Sequence, residues 1–384
     1  MTPVELSRAV LYAVRCAVDA GELDVVVPAR VRVAPPGAGG RGDYATNVAL
    51  QLARPAGQSP LRVAEVIRPH LARVHGVRAV DITGPGFLNV SLGGGSDAEL
   101  VRRVLREGPG YGHGDALAGQ VLALTVPYEV RAEVVADVLA RMVGAQGGRL
   151  DVTHAQPAGP RTAGAPARRV PLHAAGPHGR PRAVTPRRAA APRHLPTPPR
   201  DPHPLRPVPA PEDPAPLGPD AARWALLHPA PHDRPRISAD HLVQRESNPL
   251  FRVRYAHART HAVRRNAADL GIRPEPSAEA DPGAAPLLAL LADHPRLLLP
   301  VAPEPADPGR PAPASPLVPA APSRLARHLV AVADAALPLL PGALPQGDGK
   351  PTAAHRSRLA LAEAAGAVLA GGLSLLGIDA PEHL

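Results

Sequence analysis

Gly42-Asp43-Tyr44-Ala45-Thr46-Asn47-Val48-Ala49-Leu50 leaves a glycine-rich loop and begins a short helix at 43–48. Its counterpart, Gly84-Pro85-Gly86-Phe87-Leu88-Asn89, turns one strand into the next, and beyond the turn Leu88, Val90 and Leu92 alternate with Asn89 and Ser91, as a half-buried strand requires. Working outward, Thr2-Pro3-Val4-Glu5 is a capping box with proline in the first turn, and Leu6, Val10 and Val14 follow at helical spacing. Val25 to Val33 is strand-like. Ser59-Pro60 starts a helix with Val63, Ile67, Leu71 and Val74 on one face, and Ser96 with Glu99 forms a second capping box. Residues 1–115 therefore predict a small α/β module.

Residues 116–150 add one apolar strand, Val121 to Val126, and one helix carrying Val130, Val134, Val138 and Met142. The texture then changes. Nineteen prolines lie between residues 151 and 219, arginine recurs throughout, and Asp201 is the only acid from 152 to 211. A stretch so poor in buriable apolar surface cannot offset its ordering entropy, so 151–216 is expected to be a disordered basic linker. From 217 to 384 the pattern is helical. Ala221, Trp224 and Leu227 mark one helix, and Asn248-Pro249 caps a longer one with Phe251, Tyr255, Ala258 and Ala262 on one stripe. Further helices are expected at 284–298, 322–337 and 354–376, with a proline-rich break over 300–322. The class is α+β: a small N-terminal α/β domain, a Pro/Arg-rich linker and a C-terminal all-α bundle.

The chain carries 52 prolines among 384 residues, 2% aromatics and a formal charge of +9. That charge favours polyanionic partners, since each phosphate neutralised releases counterions. Cys16 alone excludes an internal disulfide and a cysteine-rich metal site. Among 17 histidines His257 and His261 share an i, i+4 spacing on one helix, and two imidazoles without a third ligand do not make a metal centre. No metal and no cofactor are expected. No signal peptide is evident and no run approaches the ~18 apolar residues of a membrane span, which predicts a cytoplasmic protein with no membrane partner. Gly108-Pro109-Gly110-Tyr111-Gly112 lacks the flanking strand and Lys-Ser/Thr of a phosphate loop and predicts a hinge.

Two motif clusters resemble the ends of class I arginyl-tRNA synthetases. Residues 42–50 with 84–89 are similar to the family's N-terminal domain, which contacts the tRNA elbow. Asp220-Ala221-Ala222-Arg223-Trp224, Ser247-Asn248-Pro249 and Tyr255-Ala256-His257-Ala258-Arg259 resemble the entry into the DALR-type helical anticodon-binding domain, and Leu373 to Glu382 resembles the family's C-terminus. The resemblance covers both ends, 1–150 and 217–384, and makes 116–150 the beginning of a catalytic domain whose remainder is missing. Family catalysis stabilises ATP phosphates with a HIGH-type helix start and lysines of a KMSKS-type loop. Here Thr125-Val126-Pro127-Tyr128-Glu129-Val130-Arg131 runs from strand to helix without His-x-Gly-His, and Lys350 is the only lysine in the chain. No catalytic residue is assigned.

The resemblance thus implies a non-catalytic protein that binds tRNA, with arginine tRNA the natural candidate, or another structured RNA. A protein-interaction scaffold, with a genuine synthetase as partner, stays open as an alternative, as does a residual arginine–tRNA ligase. Asn47 and Asn89 are candidates for a tRNA base edge or sugar, against a helix-surface place for Asn47 and an exposed strand position for Asn89. Arg252, Arg254, Arg259, Arg264 and Arg265 crowd one helix and, with His257, are candidates for RNA contacts, against a solvated charged face. Tyr255 is assigned to helix packing. Asp334 to Pro341 lacks the aromatic patch expected there, so base stacking is weakened.

Overall fold

The computed structural model describes residues 1–28, 30–37, 42–93, 96–155, 202–277, 281–301, 317–347 and 349–384. The N-terminal module is a four-stranded antiparallel sheet covered by helices. Helix α1 (Pro3–Asp19) starts at the expected capping box, with the Thr2 hydroxyl accepting from the Glu5 amide and the Glu5 carboxylate accepting from the Thr2 amide. Strands β1 (Val33–Ala34), β2 (Tyr44–Thr46), β3 (Val77–Thr83) and β4 (Phe87–Leu92) are ordered β1-β2-β4-β3. Helices α2 (Val48–Ala53) and α3 (Pro60–Ala72) complete it, α3 being capped by Ser59. Leu6, Val10, Val14, Val48, Leu52, Val63, Ile67, Leu71, Leu88 and Val90 form the core between helices and sheet.

Two local expectations are corrected in this module. Only Val33–Ala34 of the strand-like stretch from Val25 is paired, because its partner β2 is just three residues long. Residues 44–46 are strand and not the start of a helix: Tyr44 pairs with Val90 and Thr46 with Leu88, and the helix begins only at Val48. The β3–β4 turn depends on Gly86, whose φ of 134° lies where side chains strain, and where a Cβ would fall 2.7 Å from the Pro60 carbonyl oxygen.

Helix α4 (Ser96–Glu107) leads into the second body. There β5 (Val121–Val126) is followed by α5 (Val130–Ala145) and β6 (Arg149–His154), which pairs parallel with β5, and β7 (His203–Pro204) joins the opposite side of β5. The linker expected over 151–216 is therefore corrected at both ends. Residues 151–154 belong to β6, 202–216 are described, and Leu205 is buried after donating its amide to the Thr125 carbonyl. Proline density hid this, because Pro204 sits in a two-residue edge strand, where a missing N–H is tolerated. Residues 156–201 of the expected linker lie outside the described residues.

The remaining helices are α6 (Gly218–Leu227), α7 (Pro249–Asp269), α8 (Ala285–Leu297), α9 (Ala321–Ala336) and α10 (Ala353–Leu376). Their apolar faces merge with β5 and α5 into one core running from Leu100 to Ile378, with Trp224 near its centre. The expected pair of lobes joined only by a linker is thus replaced by a strand, helix and bundle sharing one interior. By length and composition α10, and α9 with the turn after it, are apolar enough to cross a membrane, contrary to the sequence reading. In α10 that surface packs inside the protein, with 78% of the window buried. Gly371 in mid-helix leaves no space for a side chain beside the Pro109 carbonyl, so close packing outweighs the cost of glycine in a helix.

Arg131, on α5, is the most polar buried group. It is 1% exposed, and its guanidinium donates to the carbonyls of Leu226, Val208, Asp233, Pro229 and Ala230 at 2.7–3.1 Å. Glu129 works beside it: its carboxylate accepts from the Ala132 amide at 2.9 Å, capping α5, and from the Ala210 amide at 3.1 Å. Together they bind 208–210 and 226–233 to the start of α5.

The expected hinge at 108–112 is instead a clasp. Gly108–Gly110 is one 3-10 turn against α10, and buried Tyr111 donates its hydroxyl to the Leu291 carbonyl at 3.0 Å. The Tyr111 ring stacks on His294, and His294 stacks on His328, with centroids 5.9 and 5.2 Å apart. Neither His294 Nδ1 nor His328 Nε2 has a hydrogen-bond partner. Burial holds both imidazoles neutral, well below the usual histidine value for His294 and down to about 4 for His328. Asp293 opposes this for His328, while Arg296 favours it; His113 adds to it for His294.

Two outcomes follow. Arg131→Ala should destabilise the fold by ~3–5 kcal/mol in urea titrations, because five carbonyls in and around the core lose a charged donor. Arg131→Lys, with three donors in place of five, should fall between. For His328 the folded value lies below the unfolded 6.5, so stability is present above about pH 6.5 and is lost as pH falls towards 4. That ring alone contributes ~1.4 kcal/mol per pH unit, roughly 3 kcal/mol in total. His328→Phe, which keeps the stack, should flatten the decline in urea midpoint between pH 6.5 and 4 by that amount.

Candidate RNA-binding surface

Helix α7 begins at Asn248, whose side-chain oxygen accepts from the Leu250 and Phe251 amides while its nitrogen donates to the His241 and Val243 carbonyls. The buried residues that follow are Leu250, Val253, Ala256, His257, Ala258, Thr260, Val263 and Ala267, so Ala258 of the expected stripe does face inward. The expected stripe through Phe251 and Tyr255 is rotated out of the core. Tyr255 is 40% exposed and stacks on half-buried Phe251 at 5.7 Å. The rotation comes from Ala256, Thr260 and the closely packed Gly366 of α10, which let the two helices approach on the small-residue side. Reading Tyr255 as packing missed that small residues, and not the aromatic ones, mark this contact.

The candidate residues of α7 divide into two groups. Arg252 pairs with Asp334 of α9. Arg254 pairs with Asp220 of α6 and donates to the Asp379 carbonyl at 3.1 Å. His257 is 2% exposed and donates from Nδ1 to the Pro381 carbonyl at 2.9 Å. Arg265 reaches His383 Nδ1 at 3.4 Å. These four tie α7 to its neighbours and to residues 379–383, so they do not stand free on its surface. Arg259 is exposed and has no hydrogen-bond or ion-pair partner among the described residues, and exposed Arg264 touches only His261, at 3.4 Å. Phe251, Tyr255 and Arg259, at i, i+4 and i+8, thus form an accessible stripe of stacked aromatics ending in a free guanidinium.

His257 and His261 lie with ring centroids 4.6 Å apart. Burial, more than the neighbouring arginines, pushes both below the usual histidine value. No group of three or more metal-ligating side chains forms among the described residues.

In the N-terminal module Asn47 precedes α2 and accepts from the Gln51 side chain at 3.1 Å, leaving it half-buried. Asn89 is 2% exposed and donates to the Thr83 hydroxyl at 2.6 Å, so the expected exposed strand position is corrected, and with it direct access to a base. The side chain that projects beside the turn is Phe87, an exposed aromatic that strand alternation alone did not single out. Burial raises the half-buried Tyr44 hydroxyl to about 12, with Asp293, Asp43 and Asp97 adding to the effect.

The third feature is the start of α5. Parallel sheets present their carboxyl ends, and the helix N-terminus that follows, to anionic ligands. Here the Glu129 carboxylate fills that N-terminus and Ala210 is fastened to it. Beside it, Tyr128 is 73% exposed and stacks on His154, whose Nε2 meets the Glu133 carboxylate at 2.7 Å.

Comparison with known proteins adds a separate line. Residues 9–92 match the family model for the arginyl tRNA synthetase N terminal domain, and residues 253–384 that for the DALR anticodon binding domain. The arginine–tRNA ligase of Renibacterium salmoninarum is 49% identical over 125 residues, 32% of this chain and 23% of that protein. The Frankia alni ligase is 50% identical over 113 residues, 29% and 20% respectively, and that of Kineococcus radiotolerans 45% over 160 residues, 38% and 29%. The chain thus spans less than a third of the length of these curated relatives. The solved arginyl-tRNA synthetase of Thermus thermophilus matches across all of both chains with a TM-score of 0.61 at 16% identity, a likeness of fold. With the two family domains in this order at its ends and these ligases as relatives, the chain is an arginyl-tRNA synthetase-related protein.

Proposed function

We propose that this chain is a cytoplasmic tRNA-binding protein that does not aminoacylate, and that arginine tRNA is its preferred partner. The observation that carries the reading is the closed start of α5. One of the amides at the N-terminus of α5, where a class I synthetase would receive ATP phosphates, is taken by the chain's own Glu129, and the strand-to-helix passage holds no histidine. Two tRNA-type modules therefore flank a helix start that, among the described residues, carries no histidine or lysine of the kind the family uses on phosphates. In the N-terminal module, exposed Phe87 offers a stacking surface for a base at the tRNA elbow. On α7, Tyr255 offers a second, and Arg259 and Arg264 offer charge to the backbone. The formal charge of +9 supports the same direction.

Binding to arginine tRNA and to a non-cognate tRNA, measured at ~50 and ~200 mM salt, tests this. The expected result is a preference for arginine tRNA that survives the higher salt. Arg259→Ala and Arg264→Ala should each lower the salt slope by about one, and Tyr255→Ala should weaken binding by ~1–3 kcal/mol. Arg252→Ala should lower stability and leave the salt slope unchanged. Arginine-dependent pyrophosphate exchange by the purified protein would overturn the non-catalytic reading; equal affinity for both tRNAs at all salts would overturn the specificity.

A further inference from the structure

Strand β6 stands at the border of the parallel sheet, paired only with β5 among the described residues. Its own geometry says which groups face outward. The Arg149 and Ala155 amides donate to the Gln120 and Val126 carbonyls on the β5 side, so odd positions bond inward. The amides and carbonyls of Leu150, Val152 and His154 therefore point to the outer edge. The opposite border is blunted by the two-residue β7 with its proline, whereas β6 runs six residues with unbroken register and no proline. Two of the exposed large apolar side chains, Val152 and Tyr128, sit at this edge, the latter through its stack on His154.

Side-chain charge selects an occupant. Arg149 and Asp151 form an ion pair on the sheet face turned away from the core, Nε to Oδ1 at 3.0 Å. An antiparallel strand added here must pair even positions with even positions. For a strand identical to β6 under two-fold symmetry, a register centred on Asp151 sets two carboxylates face to face. A register centred on Val152 leaves Arg149 without an opposing acid. A register centred on Leu150 sets Arg149 opposite Asp151 twice over, giving a square of alternating charge around a Leu150–Leu150 pair, with Val152 reaching Gly148 just before the partner strand, whose carbonyl it can meet while the Gly148 amide stays with Val143.

We propose that the outer edge of β6 is a self-association edge, on which a second copy of this chain adds its own β6 antiparallel and joins two three-stranded sheets into one of six. The dimer rests on the backbone hydrogen bonds exchanged by the two Leu150 residues, on the Val152 amides and on the reciprocal Arg149–Asp151 pairs. Neither charged residue belongs to the proposed RNA surface, so the assembly is independent of RNA binding.

Light scattering behind size exclusion, run over a concentration series at low salt, should give a mass rising towards twice the 39.7 kDa of one chain. Arg149→Asp and Asp151→Arg, both on solvent-accessible side chains, should each raise the dimer dissociation constant about tenfold by facing like charges. The double variant carrying both changes should restore it, because the square re-forms with its signs exchanged. Circular dichroism confirms that each variant is folded. A monomer at every concentration overturns the proposal. A dimer indifferent to both single reversals overturns it too, since the contact then lies elsewhere. A folded double variant that stays monomeric overturns the Leu150-centred register.

Discussion

Arg131 takes a positive charge into the interior and forms no ion pair there among the described residues, and this constraint shapes the centre of the molecule. Its charge is spread over five backbone carbonyls drawn from three separate stretches, Val208, Leu226 and 229–233. Apart from that of Ala230, which also accepts from the Asp233 amide, those carbonyls at the end of α6 and in the turns around it have no backbone donor among the described residues, so the guanidinium supplies the one they need. A planar donor with five N–H groups can serve them at once where an ammonium cannot. The side chain therefore defines where the chain that returns after residue 201 must lie. Through β7, it sets the third strand of the parallel sheet.

The same use of arginine recurs at lower burial. Arg223 joins Asp137 of α5 to the Leu376 carbonyl at the end of α10, and Arg103 joins Glu5 of α1 to Glu107 of α4. Arg254 brings Asp220 and Asp379 to one helix. Each links elements far apart in sequence. In a chain with 2% aromatics and many alanines, cores are thin, and directional arginine contacts take over part of the orienting work that large rings do elsewhere. A basic composition is thus partly architectural, and the charge left for a polyanion is smaller than the count of arginines suggests.

How much of this was legible beforehand depended on whether the signal was local. The capping box at Thr2, the Ser59 cap, β5 and the five helices after residue 217 were all readable, because periodicity and caps act within a few residues. Strands β6 and β7 were not, since Leu150 and Val152 acquire meaning only when β5 lies beside them, and proline density drew attention away. For the candidate surface, residue type pointed to α7 but gave no information on its phase. Arg252, Arg254 and His257 look as free in sequence as Arg259 does. What separates them is the presence of Asp334, Asp220 and Pro381, which are 34 to 124 residues away. Asn89 was misplaced for a related reason: alternation predicts which side of a strand a residue takes, not whether that side is covered.

The closed start of α5 bears on how such a chain can change over generations. Glu129 caps the helix and also holds Ala210, so it serves two partners. Any replacement there removes an N-cap worth about 1 kcal/mol and leaves a second amide unpaired before it offers anything to a ligand. The segment at 208–210 would still cover the helix end, anchored by Arg131. Opening this helix end to an anion would take several coordinated substitutions, each destabilising when taken first. Drift can therefore alter the surfaces of this protein freely, while an open helix end is out of reach of single steps.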